Sequence, residues 1–141
     1  MSESPGAAAA TVTAGEVARW LRAFAAAVAE NKDELTRLDA AIGDADHGIN
    51  MDRGMTAVVA ALDADEPEEI PALMRAVGMT LISKVGGAAG PLYGTLFLQF
   101  GSGAAGAAAL SPEGWATCFE AAGAGVQARG RAEPNCRHRG P

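Results

Sequence analysis

Apolar residues recur along this chain at helical intervals, and glycine, proline and Asx residues punctuate them. Val17, Trp20, Leu21, Phe24 and Val28 fall on one helical stripe, opened by Thr13-Ala14-Gly15-Glu16, which has the form of a capping box. Asn31 is placed to cap a second helix, with Glu34 at its third position, Leu35, Leu38 and Ile42 facing inward, and Gly43 ending it. A third helix is predicted from His47 or Gly48, with Met51, Met55, Val58, Val59 and Leu62 inward. The acidic turn 65–69 suits the start of a fourth, which runs to about Lys84 and buries Leu73, Met74, Val77, Leu81 and Ile82. Gly86-Gly87 breaks the chain before a glycine-spaced helix around residues 92–98. Ser111-Pro112 then supplies an N-cap and a first-turn proline for a helix whose stripe is Trp115, Phe119, Ala122 and Val126. Nothing alternates with a period of two and no internal repeat is evident, so the pattern is all-α.

Composition narrows the function classes. The 141 residues suit one domain with one core, and with 49% apolar but only 5% aromatic residues that core must be built from Ala, Val, Leu, Ile and Met. A net charge of −6 argues against a nucleic-acid binder that relies on neutralising phosphates. An acidic chain holds an anionic ligand when metal ions mediate. Cys118 and Cys136 make no disulfide framework, residues 1–12 do not read as a signal peptide, and the cytoplasm is the expected compartment. Residues 1–12 are expected to be a flexible segment. No charge occurs between Lys84 and Glu113, but that stretch holds Pro91 and seven glycines. Its strongly apolar part, 92–100, is about half of the ~20 residues a spanning helix needs, so a buried helix is expected there and no membrane.

Two segments carry candidate chemistry. Asp44-Ala45-Asp46 puts two carboxylates on the loop that leaves the second helix at Gly43, and Asp39 lies in the last turns before it. A chain folding back at a glycine brings all three to one point. Hard divalent cations take oxygen ligands, and magnesium uses one or two carboxylates plus water and substrate phosphates. Against three carboxylates, two magnesium ions leave a net positive site that attracts a polyphosphate. His47-Gly48-Ile49-Asn50 would supply helix-start amides for phosphate oxygens. The plainer reading makes these acids loop and cap residues. A calcium EF-hand is excluded on register: counted from Asp44, the sixth position is Ile49 and the twelfth is Met55. His47 either acts on a phosphate or caps its helix, and a positioning role is favoured. Cys118 reads as a buried inert thiol, and Cys136 and His138 carry no functional case. The second segment, 85–94 (VGGAAGPLYG), lacks the Gly-Lys-Ser/Thr end of a P-loop. Its small residues suit a close approach to a ligand or close helix packing.

Together the stretches 38–55 (LDAAIGDADHGINMDRGM), 78–96 (GMTLISKVGGAAGPLYGTL) and 125–134 (GVQARGRAEP) resemble the L subunit of bacterial dihydroxyacetone kinase. The nucleotide domain of the ATP-dependent single-chain enzymes is a close relative. The resemblance covers roughly residues 15–134. It implies an antiparallel up-and-down barrel of eight helices, holding ADP or ATP through two magnesium ions. The family's metal-binding aspartates fall on Asp39, Asp44 and Asp46. Its nucleotide-contacting positions fall on His47, Gly48, Ile49 and Asn50, on Gly87, Ala88, Ala89 and Gly90, and on Gly130. The implied activity is phosphoryl transfer to dihydroxyacetone held on a separate K subunit, in a phosphotransferase-linked form with an M subunit as phosphoryl donor. No residue is assigned as catalytic. The alternatives are a non-catalytic nucleotide-binding or regulatory module of the same fold, and an inactive fragment. Two departures stand out. The family usually has Ser where this chain has Ala89, and its pattern continues after Pro134 with Gly-Asp-Lys-Thr-Met, where this chain has Asn135. About five or six of the eight helices are therefore expected within 13–134, with 135–141 an aberrant disordered tail.

Overall fold

The computed structural model describes residues 10–104 and 106–131. Cys136, His138 and the tail 135–141 lie outside the described residues, as do residues 1–9. Among the described residues six helices account for the architecture: α1 Ala14–Glu30, α2 Lys32–Asp39, α3 His47–Ala64, α4 Ile70–Lys84, α5 Ala89–Gly103 and α6 Pro112–Gly130. Helix α3 packs on α1, α2 and α4, and α5 packs between α4 and α6. The all-α reading holds. Two-residue strands β1 (Val12–Thr13) and β2 (Ala109–Leu110) form one small antiparallel ladder, with Val12 opposite Leu110. The ladder ties the start of α1 to the approach to α6, and it includes Val12 from the segment expected to be flexible.

Local chemistry explains the helix boundaries. Thr13 Oγ1 accepts the Glu16 amide at 3.2 Å and Ser111 Oγ accepts the Gly114 amide at 3.0 Å, so both predicted N-caps form. One apolar core joins α1, α3, α4, α5 and α6. Leu21, Met51, Met55, Ile70, Leu73, Met74 and Leu81 are its largest fully buried side chains. Cys118 is buried with them, and that burial pushes its thiol pKa up. Helices α4 and α5 approach backbone to backbone where Gly78 faces Gly94: a Cβ added to Gly94 would stand 3.0 Å from the Gly78 carbonyl oxygen. Close packing thus accounts for part of the glycine spacing in α5. No helix among the described residues is long and apolar enough to cross a membrane.

Several inward assignments need correction. In α2, Leu35 is half-buried and Leu38 is 55% exposed, and Ile42, beyond its end, is 86% exposed. The helix ends at Asp39 rather than Gly43. It docks on α3 through Lys32 and Thr36, where Gly48 has no side chain to keep them apart. Asn31 does not cap α2; its Nδ2 donates to the Ala27 carbonyl at 2.8 Å and closes α1 instead. Ile82 is 42% exposed because it lies beside Gly94 at the edge of the α4–α5 contact. Trp20 and Phe119 are about half exposed and pack through their rings, Trp20 stacked on Phe24 and Phe119 edge-on to Phe100. Val59 and Val126 are half-buried.

Candidate functional site

Two loops meet at one end of the helix row. The segment between α2 and α3 brings Asp39, Gly43, Asp44 and Asp46, and the first turn of α3 adds His47 and Asn50. Across from them the α4–α5 connection brings Gly86, Gly87, Ala88 and Ala89. Between the two lies an open depression of about 240 Å³.

Asp39 organises the first wall. Its backbone carbonyl accepts the amides of Ile42 at 3.1 Å and Gly43 at 2.6 Å, which turns the chain immediately after α2. Its carboxylate then reaches forward: Oδ2 accepts the amides of Asp46 at 3.1 Å and His47 at 3.3 Å. Gly43 lies against the same carboxylate, so closely that an added Cβ would overlap Asp39 Oδ1. The return path goes through Ala45, whose φ of 59° is left-handed. Gly43 itself is not among the residues of positive φ, so it serves for closeness rather than for turning.

The second wall uses a glycine for its backbone. Gly87 has a φ of 67° and open space where a Cβ would be. It turns the chain from Val85 into α5, whose N-cap residue Ala88 offers no side-chain cap. The first amides of α5 therefore reach the depression without a side-chain cap. At α3 the Asp39 carboxylate takes the amides of the N-cap residue Asp46 and of His47. Of the amides expected to face phosphate at the start of α3, that of His47 is bonded to Asp39, and α5 offers a second helix start whose N-cap residue makes no side-chain cap.

Most of the predicted site residues converge. Asp39, Asp44, Asp46, His47, Asn50, Gly87, Ala88 and Ala89 all line the depression. Asn50 is buried to 9% exposure, and its carboxamide lies beside Gly86. Four predicted positions do not line it. Gly48 is buried against the Lys32 carbonyl, Ile49 is nearly half exposed, and Gly90 is buried beneath the Val85 carbonyl. Gly130 ends α6 beside Leu92. Gly43 and Gly86 line the depression without having been singled out as site residues. In sequence Gly43 marks a turn and Gly86 one small residue among several, whereas closeness to Asp39 or Asn50 is a tertiary property.

The electrostatics are one-sided. Among the described residues Asp39, Asp44 and Asp46 make no ion pair, while Lys32 pairs with Asp52 at 3.8 Å and Arg37 with Glu34. Asp44 and Asp46 are exposed and Asp39 is half-buried. Among the described residues no three His, Cys, Asp or Glu side chains are grouped closely enough to hold a metal ion, so the three aspartates line the depression without meeting at the one point expected. The donor set is nonetheless chemically suited to magnesium: hard carboxylate oxygens, uncompensated negative charge and an open side. That ion keeps several waters and seldom uses an all-protein cage.

The DAK2 domain matches residues 41–137, about two thirds of the chain. The chain belongs to the DAK2 domain family. Asp39 lies just ahead of the matched segment. Among curated DAK2-type relatives, the ADP-binding subunit DhaL of PEP-dependent dihydroxyacetone kinase 1 from Listeria innocua is 46% identical over 80% of this chain. The ADP-binding subunit DhaL of the PEP-dependent enzyme from Escherichia coli is 40% identical over 84% of it. The corresponding subunit of the PTS-dependent enzyme from Lactococcus lactis is 49% identical over 56%, aligned with 41% of that relative. The chain spans 57% of the length of the Listeria and Escherichia relatives.

Proposed function

We propose that this chain is the nucleotide-binding part of a dihydroxyacetone kinase. It would hold ADP or ATP with two magnesium ions and pass a phosphoryl group to dihydroxyacetone carried on a separate K subunit. The observation that carries the reading is the convergence of the aspartate loop and the glycine loop on one depression. The names of its relatives as ADP-binding subunits support the nucleotide.

In this reading Asp39, Asp44 and Asp46 hold the magnesium, with Asp44 and Asp46 exposed and close enough in sequence to share ions. When bound, the metal spreads the charge of the phosphoryl group in transit. The amides of Ala88 and Ala89 at the start of α5 serve phosphate oxygens, the bare backbone of Gly86 and Gly87 lets a ligand lie close, and Gly90 lets α5 pack beneath the Val85 carbonyl. The Asn50 carboxamide and His47 orient the phosphates from the opposite wall, with Gly48 and Ile49 setting the turn that presents them. Gly130 contacts the nucleotide from the end of α6. Its neighbour Leu92 leads into an apolar cleft of about 290 Å³ lined also by Tyr93, Leu96 and Val126. The PEP- and PTS-dependent names of the relatives favour a phosphotransferase-linked form, in which an M subunit recharges the bound ADP. The cytoplasm is the proposed compartment.

The test is calorimetric titration of the 141-residue chain with ADP, with and without magnesium. Binding is expected only with the metal. Asp44→Ala and Asp46→Ala should each weaken it by roughly tenfold or more, with little change in the thermal midpoint, since both side chains are exposed. Unchanged magnesium-dependent affinity in both variants would remove the metal assignment. Reconstitution with K and M subunits separates a kinase subunit from a regulatory module, because only the former restores turnover.

A further inference from the structure

Helix α3 starts at an aspartate that does not cap it. Asp46 is the N-cap residue, yet its side chain makes no capping hydrogen bond. An aspartate in that position ordinarily accepts an amide from its own first turn. Here the carboxylate of Asp39, on the preceding helix, takes the Asp46 and His47 amides with Oδ2. The same residue fixes the intervening turn through its backbone carbonyl, which accepts from Ile42 and Gly43. Gly43 then packs against Oδ1. Asp39 is therefore held at both ends by the loop it closes.

We infer that Asp39 is a positioning residue: by accepting the Asp46 and His47 amides from the preceding helix, it fixes the loop that enters α3 and presents Asp44 and Asp46 together before any ligand arrives. The inference rests on the proposed metal and nucleotide reading for its purpose, but not for its geometry. A carboxylate in this role does two separable things. Oδ2 organises the loop, which a neutral oxygen acceptor also does. The negative charge serves a cation, which a neutral side chain does not. An asparagine keeps the first and loses the second; an alanine loses both.

The experiment compares the wild-type chain with Asp39→Asn and Asp39→Ala. Amide hydrogen exchange at Asp46 and His47 is measured by NMR in magnesium-free, nucleotide-free buffer, and magnesium-dependent ADP affinity is measured separately. Exchange at the two amides should accelerate by roughly fivefold or more in Asp39→Ala, the order expected for a lost hydrogen bond, and should stay within about twofold of wild type in Asp39→Asn. ADP affinity should fall in both variants, and further in Asp39→Ala. Unchanged exchange in Asp39→Ala overturns the positioning role, as does exchange in Asp39→Asn as fast as in the alanine variant. If Asp39→Ala does not fold, the asparagine variant still decides: accelerated exchange there overturns the inference, and retained protection with weakened ADP binding supports it. Failure of the wild-type chain to bind magnesium and ADP would overturn the functional reading while leaving the exchange result to judge Asp39.

Discussion

Ala45 sits in a left-handed backbone conformation between two aspartates that line the depression. For an L-residue with a Cβ this costs about 1 kcal/mol, and the surrounding bonds to Asp39 keep it there. Ala45→Gly removes the steric cost and adds unfolded-state entropy. The chain should therefore keep its stability to within about 1 kcal/mol by urea titration. Gly43→Ala is the contrasting change. Its methyl would overlap the Asp39 carboxylate, so the loop must open, and both stability and magnesium-dependent ADP affinity should fall. Retained affinity in Gly43→Ala would show that the Asp39–Gly43 contact has no bearing on the site. These two positions also show what the sequence conveys at this level. The aspartates are readable because hard oxygen donors clustered beside a helix start are a chemical pattern. The roles of Gly43 and Ala45 are not, since the chain turns where Asp39 bonds to residues further along it. Gly43 looked like a helix stop, but α2 had already ended at Asp39.

Among the elements, α2 departs furthest from its periodicity. Leu35 and Leu38 lie on α2 but Ile42 lies beyond its end, and periodicity does not say whether any neighbour covers such a face. The eight-residue helix buries no residue and meets α3 through Lys32 and Thr36 over Gly48. The longer helices were legible because their apolar stripes are covered by two or more neighbours: Met51, Met55, Val58 and Leu62 are all buried. This gives a paired prediction. Ile42→Ser and Leu38→Ser should change stability by no more than about 0.5 kcal/mol, as exposed substitutions do. Gly48→Ala should cost about 1–3 kcal/mol, because its methyl would overlap the Lys32 carbonyl and push α2 from α3. Urea denaturation of the three variants checks both halves. A large loss in Ile42→Ser would mean that its side chain is covered in solution.

Across the molecule, the two walls of the depression belong to connections that are distant in sequence, 39–47 and 85–89. What sets their separation is the α3–α4 contact beneath them. Gly54 of α3 faces Val85, the C-cap residue just past the end of α4, and Leu81 one turn earlier; an added Cβ at Gly54 would overlap the Val85 side chain and stand 3.1 Å from Leu81. Val85 is buried and its carbonyl lies over Gly90 at the start of α5, so displacing Val85 also displaces the glycine loop. Gly54→Ala should therefore act twice. Overpacking costs about 1–3 kcal/mol of stability, and the shifted loop should weaken ADP binding even in the fraction that remains folded. Gly123 provides the control. It lies in α6, exposed, with nothing near the space a Cβ would fill, so Gly123→Ala should stabilise the helix by about 0.5–1 kcal/mol and leave ADP affinity unchanged. Affinity is read by calorimetry at a temperature where both variants are fully folded, and stability by urea titration. If Gly54→Ala loses stability but binds ADP as wild type does, Val85 gives way locally and the glycine loop is independent of the core beneath it. If both fall together, one buried contact between α3 and α4 fixes the distance across the site.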